Sequence, residues 1–433
     1  MIIVDTALAA RAESGNPILF GMFGAGFMAR GILNQGRYLS GIRCAAVCNR
    51  TIETAITAVE AAGVEDVEVV HSPARLDEVA GRGGTAVTDD PEVLAGSESL
   101  ECLLEATGHV EYGARVTTLA IDHGKHVVLM NAELDGTVGP LLKKKADQAG
   151  VLYSGADGDQ PAVQLNLHRF VTSVGLRPLV CGNIKGLQDH HRNPTTQESF
   201  AREWGQTPSM VTSFADGTKI SFEQAIVANA TGMQVAERGM TGMNYDGHVD
   251  DLIDRYDPDQ LRELGGVVDY VVGAQPSPGV YILAEARDST QALYLKYGKL
   301  GNGPLYSFYV PYHLTIFEAP LTVARVVAFG DVAIAPDGGP RVEVITAAKT
   351  DLKAGDTIDG LGGYMTYGLC ENHEITNREG LLPIGLAEGS VLRRNVAKDE
   401  LVYVDDVDYP EGTLIHRLRA EQDVLFDTEG GPS

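Results

Sequence analysis

The stretch ILFGMFGAGFMARG, residues 18–31, decides the fold. An apolar run, Ile18–Phe23, leads into Gly24-Ala25-Gly26-Phe27-Met28-Ala29, which fits G-x-G-x-x-G/A, and a helical pattern follows. The first glycine permits a tight turn, the second lets backbone approach a pyrophosphate, and the small third residue lets helix pack on strand. The helix N-terminus then offers free N–H groups and the positive end of its dipole to phosphates. Gly24, Ala25, Gly26, Phe27 and Met28 are therefore expected to hold a dinucleotide.

Working outward, IRCAAVCNR (42–50) reads as a second strand. The segments ECLLEATG, ARVTTLAIDHG, KHVVLMNAE, GPLLKKKADQAG and VLYSGADGD continue the alternation. That alternation predicts a parallel, doubly wound α/β sheet of the Rossmann type over residues 1–155. A site for NAD would place Asp or Glu at the end of the second strand. This strand ends instead Cys48-Asn49-Arg50, so no carboxylate repels a 2′-phosphate and Arg50 can pair with one. NADP(H) is the expected cofactor, with Asn49 and Arg50 at its ribose phosphate. Thr107 and Gly108, in the loop EATGHVEYG, and Asn131, after a later strand, are expected nearer the nicotinamide.

From residue 156 the pattern changes to longer loops and mixed strands, among them SMVTSFADGTKISFEQAIVANATG. This predicts an α+β substrate-binding and dimerisation domain over 156–334. APDGGP (335–340) reads as a linker, and short strands and turns beyond it predict a small all-β domain over 341–433. The net charge of −25 argues against nucleic acid or an anionic membrane as partner. The five cysteines lack metal-site or disulfide-framework spacing and read as core residues. No apolar run is long enough for a membrane span, and the N-terminus lacks the basic start of a secretory signal, so a cytoplasmic location is expected.

The combination of GMFGAGFMARG, GKHVVLMNAE, YSGADGDQPA, GNIKG and PYHLTIFEAPLTVAR resembles the homoserine-dehydrogenase-like oxidoreductases that carry a C-terminal SAF (β-clip) module. Within that group the chain looks like the 1-deoxy-D-xylulose-5-phosphate reductoisomerase-like enzymes. AAKTDLKAGDTID and LPIGLAEGSVLRRNVAKDELV are the SAF-like segments. The resemblance implies NADPH-dependent conversion of 1-deoxy-D-xylulose 5-phosphate to 2-C-methyl-D-erythritol 4-phosphate, a step of isoprenoid precursor synthesis, in homodimers. Two departures stand out. Homoserine dehydrogenases have a lysine just after the asparagine that matches Asn131, where this chain has Ala132 and Glu133. The acidic metal-binding motif of ordinary deoxyxylulose phosphate reductoisomerases is also missing.

An α-ketol reductoisomerase needs an acid/base group, an oxyanion stabiliser and a phosphate grip. Lys185, in VCGNIKG (180–186), is the only lysine between Lys145 and Lys219; its flanking glycines and its place past the first domain make it the first catalytic candidate. His313 is a second acid/base candidate, with Tyr312 in support, and Asn229 a group to orient substrate hydroxyls. Asp159 either caps a helix near Pro161 or takes part in the chemistry. Asp157, Asp159 and Glu133 are the natural oxygen ligands if Mg²⁺ or Mn²⁺ binds, and Glu133 and Asp157 are otherwise substrate contacts. DHHRNP (189–194) offers His190, His191 and Arg192 to a phosphate. The alternatives are an NAD(P)-dependent dehydrogenase or oxidoisomerase of a sugar acid and, in another class, a non-catalytic NADPH-binding regulator.

Overall fold

The computed structural model describes residues 3–429. The chain divides into two compact units, one of residues 1–159 with 314–335, the other of 160–313 with 336–433.

The first unit is built on a seven-stranded, wholly parallel sheet: β1 (Ile18–Phe23), β2 (Ile42–Cys48), β3 (Val67–Val69), β4 (Thr85–Thr88), β5 (Cys102–Glu105), β6 (His126–Leu129) and β7 (Tyr153–Gly155). Its order is β3-β4-β2-β1-β5-β6-β7, so the winding reverses between β1 and β5. In such sheets the ligand crevice opens at the carboxyl ends of the strands, where the order reverses. β1 and β2 are buried almost throughout, as parallel strands covered on both faces must be.

Residues 314–335, expected with the second domain, return to this unit. Helix Thr315–Phe329 buries Ala319, Val323, Ala324 and Val326 in the core that holds Phe20, Met22 and Ile32. Ile316 also covers Gly31, where a Cβ would lie 2.7 Å from its methyl group. The Gly155 amide then donates to the Ile334 carbonyl at 2.7 Å. Burial of one helical face thus groups this helix with the first unit despite its distance in sequence.

The second unit has a mixed five-stranded sheet, β8 (Arg177–Lys185), β9 (Met243–Asn244), β10 (Val267–Val272), β11 (Gly279–Glu285) and β12 (Leu305–Val310), in the order β12-β11-β8-β10-β9. The stretch expected as mixed strands, 209–232, falls instead in two helices, Pro208–Ala215 and Thr218–Thr231. Helix punctuation overrides β-branched composition here. Thr207 caps the first, with Pro208 at its first position, and Gly217 and Gly232, both at positive φ, bracket the second. Helix Thr218–Thr231 is buried on nearly every face.

The C-terminal stretch groups with this unit and carries small antiparallel sheets, as expected. It pairs β13 (Val342–Ala348) antiparallel with β14 (Thr366–Asn372), and adds helices His373–Glu379 and Leu414–Glu429. The two strands pack on helix Thr218–Thr231: the Gly368 amide donates to Thr218 Oγ1 at 2.9 Å, and Ser221 Oγ donates to the Gly368 carbonyl at 3.1 Å. All five cysteines are buried and unpaired. Among the described residues no helix is long and apolar enough to cross a membrane.

Candidate active site

Gly24 opens the loop after β1 at φ +103, and a Cβ there would lie 2.7 Å from the carbonyl oxygen of Ala106, in the loop after β5. Only glycine allows these two loops to meet where the sheet reverses. Its neighbour Gly26 is the N-cap of helix Phe27–Gly36, with no side-chain cap and no acidic residue in the first turn. Nothing lies within 4 Å of a Cβ built on Gly26. An open, uncapped and uncharged helix N-terminus after a parallel strand fits the pyrophosphate of a dinucleotide. Asn49 Nδ2 donates to the Thr51 carbonyl at 2.8 Å, and Arg50 is exposed beyond it.

Thr107 and Asn131 gather around a residue that motif reading passed over, Glu105. Its Oε1 accepts from the Thr107 amide at 2.9 Å and from the Thr107 hydroxyl. Burial pushes its carboxyl up to about 7, against the pull of the Thr107 and Asn131 donors. Asn131 Oδ1 accepts from the Leu134 amide at 3.1 Å, and its Nδ2 donates to the His109 carbonyl at 3.1 Å. Gly108 turns the loop at φ +70. A glutamate ending the apolar strand ECLLE was the available signal for Glu105.

The three acids named as metal ligands do not assemble. The Asp157 carboxylate faces the Arg325 guanidinium at 3.3 Å, while its amide donates to Thr322 Oγ1 at 2.7 Å. Glu133 is buried in helix Ala132–Ala149, and Asp159 is half-buried. Among the described residues no group of three or more His, Cys, Asp or Glu side chains converges to hold a metal ion.

In the second unit Lys185 ends the central strand β8. Side chains two apart on a strand share a face, so Cys181, Asn183 and Lys185 all follow one side of β8, the side on which helix Thr218–Thr231 lies. Gln224 Nε2 on that helix donates to the carbonyls of Cys181 and Asp269. Asn183 Nδ2 donates to Glu223 Oε2 at 3.1 Å and to Gln160 Oε1. Lys185 retains some exposed surface, but desolvation lowers its pKa, and Lys219 lowers it further. Glu223 and Asp216 pull it back up. Asn183, Gln160, Asp216, Lys219 and Glu223 were missed in the sequence; the i, i+4 spacing of Lys219 and Glu223 was a usable signal once the segment was read as helix.

Strand register relates His313 to this edge. β12 runs up to Val310 beside Val280, and Val280 pairs in turn with Asn183. The segment carrying Tyr312 and His313 therefore leaves the same sheet edge as Lys185, two strands away, or about 10 Å. Tyr312 is exposed and His313 half-buried.

The remaining candidates are engaged elsewhere. Asn229 lies in the last turns of helix Thr218–Thr231, not after a strand, and its Oδ1 accepts from the amides of Arg341 and Val342 at 2.7 and 3.1 Å. That clasps the start of β13. In the basic cluster, His191 Nε2 meets Asp399 at 2.8 Å and Arg192 Nε donates to Asp189 at 3.0 Å. His190 stacks on Tyr367 with centroids 4.6 Å apart. Each member of the proposed phosphate grip thus has a local partner.

Residues 158–319 match the family model described as the catalytic domain of oxidoreductase DRL. No curated protein matches the chain by sequence. Among solved structures, a homoserine dehydrogenase from Thiobacillus denitrificans is 14% identical, over 89% of this chain and 98% of that one, with a TM-score of 0.44. An amine dehydrogenase from Mycobacterium smegmatis is 15% identical over 74% and 94%, with a TM-score of 0.41. An NAD binding oxidoreductase from Klebsiella pneumoniae is 16% identical, with a TM-score of 0.29; the match covers 41% of this chain and 44% of that one, less than half of it.

Proposed function

Starting from an oxidoreductase catalytic domain of the DRL kind over residues 158–319, we propose that the protein is an NADP(H)-dependent oxidoreductase with Lys185 as its acid/base group. The observation that carries this reading is the environment of Lys185: an amine at the end of a central strand, on the face where Glu223 bonds Asn183, with its pKa lowered by burial. A lysine so placed changes protonation nearer neutrality than a solvated one and can exchange a proton with a substrate hydroxyl or carbonyl.

The nicotinamide cofactor supplies or accepts the hydride. The residues that would hold it are Gly24, Ala25, Gly26, Phe27 and Met28 at the pyrophosphate, and Asn49 and Arg50 at the ribose 2′-phosphate. Thr107, Gly108 and Asn131, organised by Glu105, would lie toward the nicotinamide. Glu223 orients Asn183 by a direct hydrogen bond, and its charge opposes the lowering of the Lys185 pKa by burial. Asn183, buried and paired with Gln160 and Glu223, fixes the face of β8 that leads to Lys185. His313, from the same sheet edge, is the second acid/base group.

The family match supports the oxidoreductase class; the resemblance favours a reductoisomerase of a phosphorylated keto-sugar, 1-deoxy-D-xylulose 5-phosphate being the candidate. A second reading, an oxidoisomerase or dehydrogenase of a sugar acid, is favoured by the ion pairs that already occupy His191 and Arg192. NADPH and NADH oxidation by the purified protein, with deoxyxylulose phosphate and a panel of sugar acids, with and without Mg²⁺ or Mn²⁺, decides between them. Turnover with deoxyxylulose phosphate supports the first; turnover with sugar acids alone supports the second.

A further inference from the structure

We propose that Tyr281 and Gly182 position Lys185: the Tyr281 hydroxyl, seated over Gly182, ties together the strand that carries Lys185 and the two strands beside it. The inference rests on the reading of Lys185 given above and extends it to residues to which no role has been assigned.

β8 runs between β10 and β11 in the sheet. At one level three residues stand side by side: Tyr281 on β11, Gly182 on β8 and Asp269 on β10. Register partners share a face of a sheet, and this face is the one opposite to Asn183 and Lys185. A Cβ on Gly182 would overlap the Tyr281 ring and lie 2.5 Å from its hydroxyl oxygen. The missing side chain therefore lets the ring lie across the central strand. Its hydroxyl meets that of Tyr256 at 2.9 Å, and Tyr256 donates to Asp269 Oδ2 at 2.9 Å. A phenol has one proton to give, so Tyr281 donates to Tyr256. Asp269 Oδ1 accepts in turn from the amides of Gly242 and Tyr270, at 2.9 and 2.8 Å. Tyr281 and Asp269 are 0% and 1% exposed, so these bonds are shielded from water.

The outer strands reach Lys185 from this bridge. Three residues on from Asp269, Val272 pairs with Lys185, and the next amide, that of Gly273, donates to the Lys185 carbonyl at 2.8 Å. Beside Tyr281, Val280 pairs with Asn183. On the other face Gln224 Nε2 donates to the carbonyls of Cys181 and Asp269, and Asn183 donates to Glu223. Gly182 is thus clamped from both faces, and Lys185 stands three residues, or about 10 Å, beyond the clamp. A shift of β8 at Gly182 is carried to Lys185, because the strands on either side are tied at the same level. The stretch VCGNIKG then divides its work: Gly182 seats the clamp, and Lys185 uses the position it fixes.

The test uses the full-length protein with ¹³C-methylated lysines, the Lys185 resonance being identified by its loss in Lys185→Arg. Gly182→Ala pushes ring or strand aside by about 1 Å, and a misplacement of that size lowers turnover of the panel substrate about 10²-fold. Tyr281→Phe keeps the ring and removes the hydroxyl link; turnover falls about tenfold, the worth of one buried hydrogen bond. In both variants the Lys185 resonance moves, that of Lys143 in the first unit does not, and the KM for NADPH stays within about twofold. With Tyr281→Ala in place, Gly182→Ala adds less than about twofold, because the ring that its methyl would strike is gone. Variants that melt earlier but keep the Lys185 resonance and the turnover per folded molecule show a merely structural bridge and overturn the proposal. A full additional loss from Gly182→Ala in the Tyr281→Ala background does so too. Should Gly182→Ala fail to fold, Tyr281→Phe decides alone. The two readings fail separately. A moved resonance, with full turnover in Lys185→Arg, leaves the positioning standing and removes Lys185 from the chemistry. An inactive Lys185→Arg with an unmoved resonance does the reverse.

Discussion

Asn183 and Glu223 stand 3.1 Å apart, amide nitrogen to carboxylate oxygen, and join the central strand of one sheet to the helix buried against it. Asn183 is wholly buried, and its neighbour two residues on is Lys185, on the same face of β8. Glu223 therefore serves two partners: it orients an amide by a hydrogen bond and steadies an ammonium by charge.

Replacing Lys185 by alanine is expected to lower kcat by about 10²–10⁴-fold, the range for loss of a positioned acid/base group. NADPH affinity, measured by fluorescence titration, stays within about twofold, since the cofactor residues are unaltered. Full biological activity with no turnover in any variant would instead favour the regulator.

Glu223→Gln keeps the hydrogen bond available to Asn183 but removes the charge. Burial already lowers the Lys185 pKa, and Glu223 opposes that shift. Without its charge the amine gives up its proton at lower pH. The limb of the pH–rate profile that reports Lys185 should move to lower pH. A shift to higher pH would contradict the assignment.

Gly24→Ala should abolish measurable cofactor binding. The φ of +103 and the 2.7 Å approach to the Ala106 carbonyl leave a Cβ no room, and the strain costs about 1–3 kcal/mol. Thermal melts with and without NADPH separate the two effects: the apo midpoint falls slightly, while the cofactor-induced rise disappears.

Glu105 makes stability depend on pH in an unusual direction for a carboxylic acid. Its folded-state pKa is raised from the ordinary 4.5 to about 7, so the neutral form is the one the fold favours. The contribution is fully present below about pH 4.5 and is lost as pH rises through 7, a change on the order of 3 kcal/mol. Urea melts of Glu105→Gln across that window should lose this part of the pH dependence. A variant whose pH dependence matched the parent would exclude it.

Arg50→Ala should cost NADPH roughly tenfold in affinity and leave NADH nearly unchanged, because the guanidinium pairs with a charge that only the 2′-phosphate carries. Equal losses for both cofactors would place Arg50 against the adenine instead.

How far these features were legible depends on the range over which each is encoded. The Gly24–Ala29 turn and the strands beside it were readable because a tight turn and the alternation of strand with helix are local requirements of the backbone. Residues 209–232 read as strand because Val211, Ile220, Phe222, Ile226 and Val227 suit a strand by composition, whereas Thr207, Pro208, Gly217 and Gly232 set helix boundaries. That single error hid Lys219 and Glu223, whose shared face exists only if the segment is helical. Asn229 looked like a substrate ligand for the same reason, yet its oxygen secures the start of β13.

Sequence alone determined the parallel nucleotide-type sheet, the glycine positions its loops require, and Lys185 as the amine worth following. These rest on interactions between residues a few places apart. The return of helix Thr315–Phe329 to the first unit, the neutral-favouring burial of Glu105 and the seating of Tyr281 over Gly182 were decided by tertiary structure. Each depends on desolvation and packing between segments distant in the chain, and neither can be assigned until the fold has brought those segments together.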